Sequence, residues 1–155
     1  MARACHLTAL AWGPLAEGRL TGKYLAGGAG RLDVYDWGGA DTRSDAITAE
    51  VVRVADEGGW QPAQVALAWL LARPGSVVPI VGCTSPAQLN ANLAALDVTL
   101  DDGQATRLDE ISRVDLGFPH EFLRLESIKR IVYGDRWHQV DDRGATMRHA
   151  ADDPW

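Results

Sequence analysis

Cysteine is scarce in this sequence: two residues, Cys5 and Cys83, in a chain of 155. They stand far apart, and no histidine, cysteine or carboxylate near either has the spacing of a metal-ligand set, so no metal is expected. With no disulfide framework to build, the simplest reading is a pair of reduced thiols in a cytoplasmic protein. Long apolar runs are missing as well. None approaches the roughly 20 residues of a bilayer span, which argues against a membrane partner. The N-terminal stretch MARACHLTALAWG has neither the apolar core nor the small-residue cleavage site of a secretory signal. Positive charge is in short supply: Lys+Arg number 15 against 21 Asp+Glu, for a formal net charge of -6 and a pI of about 5.1. That balance argues against nucleic acid as a partner, which calls for a basic face. No G-x-G-x-x-G follows a strand-like run, so the Rossmann fingerprint is absent too.

What is present suits one globular domain able to bury a core, with 46% hydrophobic and 23% charged residues. Residues 7–12, LTALAW, form a short apolar run stopped by Gly13-Pro14, which suits a buried parallel strand. A glycine-rich stretch of about thirty residues follows, and in a compact domain such a stretch is functional, partly disordered, or both. Residues 44–57 carry Ile47, Val51, Val54 and Ala55 at helical spacing, closed by Gly58-Gly59. Pro62 opens a second helix, PAQVALAWLLA, apolar nearly all round and therefore buried, with Trp69 in the core. Arg73-Pro74-Gly75 ends it.

The stretch VVPIVGCTSPAQLNAN, residues 77–92, is the most informative. It reads as a buried strand over 77–81, a tight loop over 82–85 and the first turns of a helix. Ser85 is a good N-cap, Pro86 suits the first helical position, and Gln88 completes a capping box. Unpaired N–H groups and the positive end of the helix dipole make such a start competent to bind an anion. Leu89, Leu93 and Leu96 are expected to form this helix's core stripe. Asp101 caps a further helix, with Gln104 at its third position, Leu100 as a hydrophobic staple, and Leu108 and Ile111 facing inward. A turn, LGFPHEF, leads to an amphipathic helix with Phe122, Leu125, Ile128, Ile131 and Val132. From Asp135 onward the chain is polar and is expected to be poorly ordered. Strands alternating with helices imply an α/β fold with a parallel sheet. Two strands alone cannot stabilise such a sheet, so oligomerisation or aggregation through exposed strand edges is expected.

Three segments together resemble the aldo-keto reductases, especially their bacterial and potassium-channel β-subunit-like branches. They are AWGPLAEGRLTGKY (11–24), PAQVALAWLLARPGSVVPIVGCTSPAQLNANLAAL (62–96) and LGFPHEFL (116–123). The resemblance implies a partial (β/α)8 TIM barrel, comprising roughly the seventh and eighth β/α units plus C-terminal helices. Residues 1–113 would be the C-terminal half of the barrel, 114–134 an extension helix and 135–155 a tail. A whole barrel takes about 250 residues. The family reduces aldehydes and ketones with NADPH through an Asp, Tyr, Lys and His tetrad. In the resemblance all four precede the point matching Leu7, so no catalytic residue is assigned. A small-molecule carbonyl substrate is expected only where the missing half is supplied.

The resemblance also implies a cofactor site. Trp12, Gly13, Pro14, Leu15 and Ala16 match the loop along the pyrophosphate and nicotinamide, with Gly13 in place of the usual serine. Lys23 matches a cation that holds a phosphate. Arg31 corresponds to a further phosphate-binding arginine, a role for which Arg43 competes. Gly82, Cys83, Thr84 and Ser85 match the loop around the 2′-phosphate, and Gln88 and Asn92 match contacts to the phosphate-ribose and the adenine. The implied cofactor is NADP; NAD is the lesser alternative, kept open because Cys83 falls where many members carry arginine, lysine or a small residue, and without a cation there the loop grips the 2′-phosphate less firmly. Ala91 replaces a glutamate that often grips adenine. Each residue also has a plain reading: Gly82 as a turn, Ser85 as a cap only and Lys23 as a solvated loop lysine; Phe118 and Phe122, which the resemblance would place in a wall of the substrate opening, read better as packing. The alternative for the whole chain is a non-catalytic remnant or interaction module that binds nucleotide weakly or not at all.

Overall fold

The computed structural model describes Ala2, residues 5–30 and residues 41–139. It divides into two compact units, Met1–Ser112 and Arg113–Trp155.

The first unit holds a two-stranded parallel sheet. Strand β1, Ala9–Trp12, pairs with β2, Val77–Ile80, in the register Ala9↔Val77 to Trp12↔Ile80. Both strands are shorter than the apolar runs that encode them: β1 begins two residues late and β2 ends one residue early, the ladder running only from Ala9↔Val77 to Trp12↔Ile80. Ala9 N–H donates to the Ser76 carbonyl at 2.8 Å, and the Thr8 hydroxyl donates to Ser76 Oγ at 3.0 Å, just ahead of the ladder. Pro79 contributes no N–H to the ladder, which is tolerated on an edge strand. Alternation splits the sheet into two faces. Ala9, Ala11, Val77 and Pro79 are half-buried on one side, where β2 packs on a helix. On the other, Leu10, Trp12, Val78 and Ile80 are 65%, 77%, 46% and 47% exposed. The described residues are thus mixed α/β, helix-rich, with a small parallel sheet.

Helix α1, Thr42–Gly58, starts at Asp41, whose carboxylate accepts the Arg43 N–H at 3.1 Å and the Ser44 hydroxyl. It ends in left-handed Gly59 (φ 69). Helix α2, Pro62–Leu71, follows after three intervening residues, entered through a Gln61–Gln64 capping box and a first-turn proline. Val51, Val54, Ala55, Val65, Ala66 and Leu108 make the core, with Leu15, Leu20, Trp60, Trp69 and Leu100 packed around it. Burial in α2 is concentrated at Val65, Ala66, Leu67 and Ala68 and does not run right round it. Trp69 lies at the rim, where its indole N–H donates to Asp109 at 2.7 Å.

Helix α3, Pro86–Leu93, and a 3₁₀ turn, Ala94–Asp97, follow β2. Here the expected core stripe fails: Leu89, Leu93 and Leu96 are 48%, 51% and 69% exposed. Spacing put them on one side of the helix, but nothing among the described residues covers that side. Helix α4, Asp102–Ser112, starts as its sequence predicts. Gln104 N–H donates to the Asp101 carboxylate at 2.8 Å, and Asp101 N–H donates to Gln104 Oε1 at 3.1 Å. Leu108 is buried, whereas Ile111 is left on the rim and not turned inward. Charges clamp α4 to α1. Glu57 accepts from Arg107 at 2.5 Å. Buried Glu50 is paired with Arg53 and, at 3.2 Å, with Arg107 Nε, close as charges but without hydrogen-bond geometry.

The second unit contains α5, His120–Arg124, and α6, Glu126–Tyr133. The single amphipathic helix expected here is broken at Leu125, whose extended backbone (ψ 130) caps one piece and opens the other. Phe118 and Phe122 touch at 5.7 Å between ring centroids, yet Phe118 remains 82% exposed. Gly134–Gln139 forms a 3₁₀ turn where a polar tail was expected. The rest of that tail lies outside the described residues. Among the described residues, no helix is long and apolar enough to cross a membrane.

Candidate functional site

Because β1 and β2 run parallel, the loops that follow them leave the same end of the sheet, where α/β proteins build their ligand crevices. The β2 loop closes tightly on α3. Ser85 is extended (φ -147, ψ 155), and its hydroxyl accepts the Gln88 N–H at 3.2 Å, so its half of the capping box forms. The other half is displaced. Gln88 Oε1 accepts from the N–H and the hydroxyl of Thr84, both at 2.9 Å, and not from the Ser85 N–H. One turn further along, Asn92 Nδ2 lies 3.3 Å from the Cys83 sulfur. Cys83, Thr84, Ser85, Gln88 and Asn92 are thereby gathered into one cluster. Gly82 is not in a left-handed conformation, and a Cβ there would meet nothing within 4 Å. The backbone does not need glycine at this point, and the space beside it is open to a ligand.

The β1 loop is built on left-handed residues: Gly13 (φ 66), Ala16 (φ 47), Glu17 (φ 57) and Gly18 (φ 88). Those conformations fold the chain into a 3₁₀ segment, Ala16–Thr21, with a kink inside it. Ala16 N–H donates to the Gly13 carbonyl at 2.9 Å, and Gly18 N–H to that of Leu15 at 3.0 Å. Leu15 points into the core, while Trp12 at the strand end is 77% exposed. Lys23 is folded back over its own loop. Its ammonium lies 4.7 Å from the Tyr24 ring centroid, and a Cβ at Gly30 would strike it. Arg31 lies outside the described residues. Arg43, its rival, donates to the Ser112 carbonyl at 3.0 Å.

A sequence profile described as the Aldo/keto reductase family matches residues 1–113. The chain belongs to the aldo/keto reductase family. It is 37% identical over 108 residues to an uncharacterized oxidoreductase of Mycobacterium tuberculosis, a match covering 67% of this chain and 33% of that protein. It is 36% identical over 75 residues to norsolorinic acid reductase of Emericella nidulans, covering 48% and 19% respectively. A probable voltage-gated potassium channel subunit beta of Arabidopsis thaliana is 35% identical over 97 residues, covering 56% and 29%. The chain spans about a third or less of the length of these curated relatives.

In this aldo/keto reductase chain the β2 loop's own donors are neutral. No lysine or arginine occurs between Arg73 and Arg107. The loop offers hydroxyls, amides and a helix start, a set that can hold a phosphate through dipoles. Shifted titrations lie elsewhere. The Ser44 hydroxyl holds the Asp41 carboxyl below its ordinary value, the Arg107 guanidinium does the same for Glu57, and Glu57 in turn raises Arg107. Asp115, in the second unit, is lowered chiefly by the Gly117 N–H. These are structural contacts at caps and clamps. One feature had no signal in the sequence. A cavity of about 260 Å³ opens among β1, α1, α2 and α4, walled by Trp12, Pro14, Ile47, Trp69 and Leu108 among others. Its lining comes from separate segments whose helical spacing marks only a core. It does not include the β2 loop, and its apolar walls cannot hold a phosphate, so the β2 loop remains the better anion site.

Proposed function

We propose that this chain supplies the adenosine-phosphate side of a nicotinamide-dinucleotide site in a carbonyl oxidoreductase, with NADP(H) favoured over NAD(H). The observation that carries the reading is the cluster at the end of β2. Thr84, Ser85, Gln88 and Asn92, far from unusual singly, converge on one loop beside the open face of Gly82. In this reading Gly82, Cys83, Thr84 and Ser85 form the loop around the 2′-phosphate, Gln88 and Asn92 reach the phosphate-ribose and the adenine, and Trp12, Gly13, Pro14, Leu15 and Ala16 line the pyrophosphate and nicotinamide side. Lys23 must leave Tyr24 to reach a phosphate. Arg31 is retained as a further cation.

The barrel is part of the same proposal. Leu10, Trp12, Val78 and Ile80 present an apolar sheet face to solvent, as strands of a (β/α)8 barrel would if its other strands were taken away. Further β/α units would cover that face and bring the catalytic residues, to which this chain contributes none. Bound, the dinucleotide supplies a hydride; this chain's residues bind and orient it. A titration of the purified chain with NADPH, read by fluorescence, tests the reading. Saturable binding that weakens in Lys23→Glu supports it, and the absence of any saturable signal at millimolar cofactor contradicts it.

A second reading, an interaction module without nucleotide binding, draws on the same exposed face and on the relative named as a channel subunit. It predicts no NADPH response together with tight association through that face.

A further inference from the structure

Two donors of Thr84 converge on a single atom: its N–H and its hydroxyl each lie 2.9 Å from Gln88 Oε1. A peptide N–H can only donate. The amide atom facing it must therefore be the carbonyl oxygen, whichever way the carboxamide is drawn, and the Nε2 group must face away from Thr84. The oxygen's two lone-pair sites are filled by these bonds, and both Thr84 donors are engaged. Asn92 is not fixed in the same sense, because the Cys83 thiol it meets can donate as well as accept.

We propose that Thr84 is a positioning residue, holding the Gln88 carboxamide so that its NH₂ is the donor offered to the 2′-phosphate. Thr84 then acts on the anion through Gln88 and does not touch it. The inference rests on the adenosine-phosphate reading of this loop and changes the role of one residue within it. Its physical content is preorganisation. A glutamine side chain has three rotatable bonds, and ordering them on binding costs affinity unless they are held beforehand. In a loop without a nearby cation between Arg73 and Arg107, a prepaid neutral donor is a large part of the grip.

The test is a double-mutant cycle on the full chain, titrated calorimetrically with adenosine 2′,5′-bisphosphate and, in parallel, with adenosine 5′-monophosphate. Thr84→Val keeps the side chain's shape and the backbone N–H but removes the hydroxyl. It is expected to weaken the bisphosphate about three- to tenfold, the worth of one hydrogen bond, and to leave the monophosphate unchanged. Thr84→Ser should restore the bisphosphate. In a Gln88→Ala background, Thr84→Val should cost nothing more, since its only route of action is gone. Equal weakening by Thr84→Val with and without Gln88 would overturn the proposal, because it would make Thr84 a direct contact. A wild-type chain that binds neither probe overturns the adenosine-phosphate reading itself, and this inference with it. Thermal melting of each variant separates loss of the helix start from loss of binding.

Discussion

Leu108 is 4% exposed and sits in the same cluster as Val51, Val54 and Val65. Leu108→Ala should cost about 2 kcal/mol, the low end of the range for such truncations, because the residue already borders a cavity into which its neighbours can relax. Leu89, 48% exposed, offers the contrast. Leu89→Ala in the isolated chain should cost less than about 0.5 kcal/mol, the usual scale of a surface change. Chemical denaturation of the two variants checks both values, and equal losses would mean that α3 is covered in solution. Ser85 belongs to this scale too. Removing its hydroxyl in Ser85→Ala leaves the Gln88 N–H without its acceptor and should lower stability by about 1 kcal/mol.

At the scale of elements, α1 and α4 are joined by charge as well as by the core. Arg107 holds the Glu57 carboxyl below its ordinary value of 4.5. A carboxyl lowered in the folded state stabilises fully above that ordinary value, and the contribution fades as pH falls through the lower folded value. Melting temperature should therefore drop on acidification below about pH 4.5, and Glu57→Gln should make that drop shallower. An unchanged acid limb in the variant would show that Glu57 and Arg107 are not paired in solution. The elements themselves were largely legible. Gly13-Pro14 and Arg73-Pro74-Gly75 end β1 and α2 because proline and glycine break ladders and helices, and Asp101 with Gln104 caps α4 through purely local bonds. Three features were not legible, each for a physical reason. Periodicity finds the apolar side of α3 but cannot say whether anything packs on it, so Leu89, Leu93 and Leu96 were misplaced. Left-handed Ala16 and Glu17 carry no glycine signal, so the turns after β1 were hidden in a loop. Within the candidate site, the spacing of Ser85 and Gln88 fixed the cap, while the choice of Thr84 over Ser85 as Gln88's partner depended on backbone angles.

At the scale of the molecule the governing fact is that, among the described residues, the sheet has two strands and one apolar face in solvent. Edges and faces of this kind promote association. The isolated chain should self-associate with rising concentration, and Leu10→Thr with Val78→Thr, two exchanges on the open face, should shift it toward monomer in sedimentation velocity. A monomeric wild type at high concentration would mean that the face is already covered. In the proposed reading, further β/α units are the natural cover and the β2 loop is the cofactor-binding part of this aldo/keto reductase chain. The most direct test is a residue-resolved one: ¹H–¹⁵N spectra of the chain during titration with NADPH. The account predicts saturable shifts at the amides of Gly82, Cys83, Thr84, Ser85, Gln88 and Asn92, with smaller ones at Gly13, Leu15 and Ala16. Shifts confined to the apolar cavity around Ile47, Trp69 and Leu108, or none at millimolar NADPH, would contradict it.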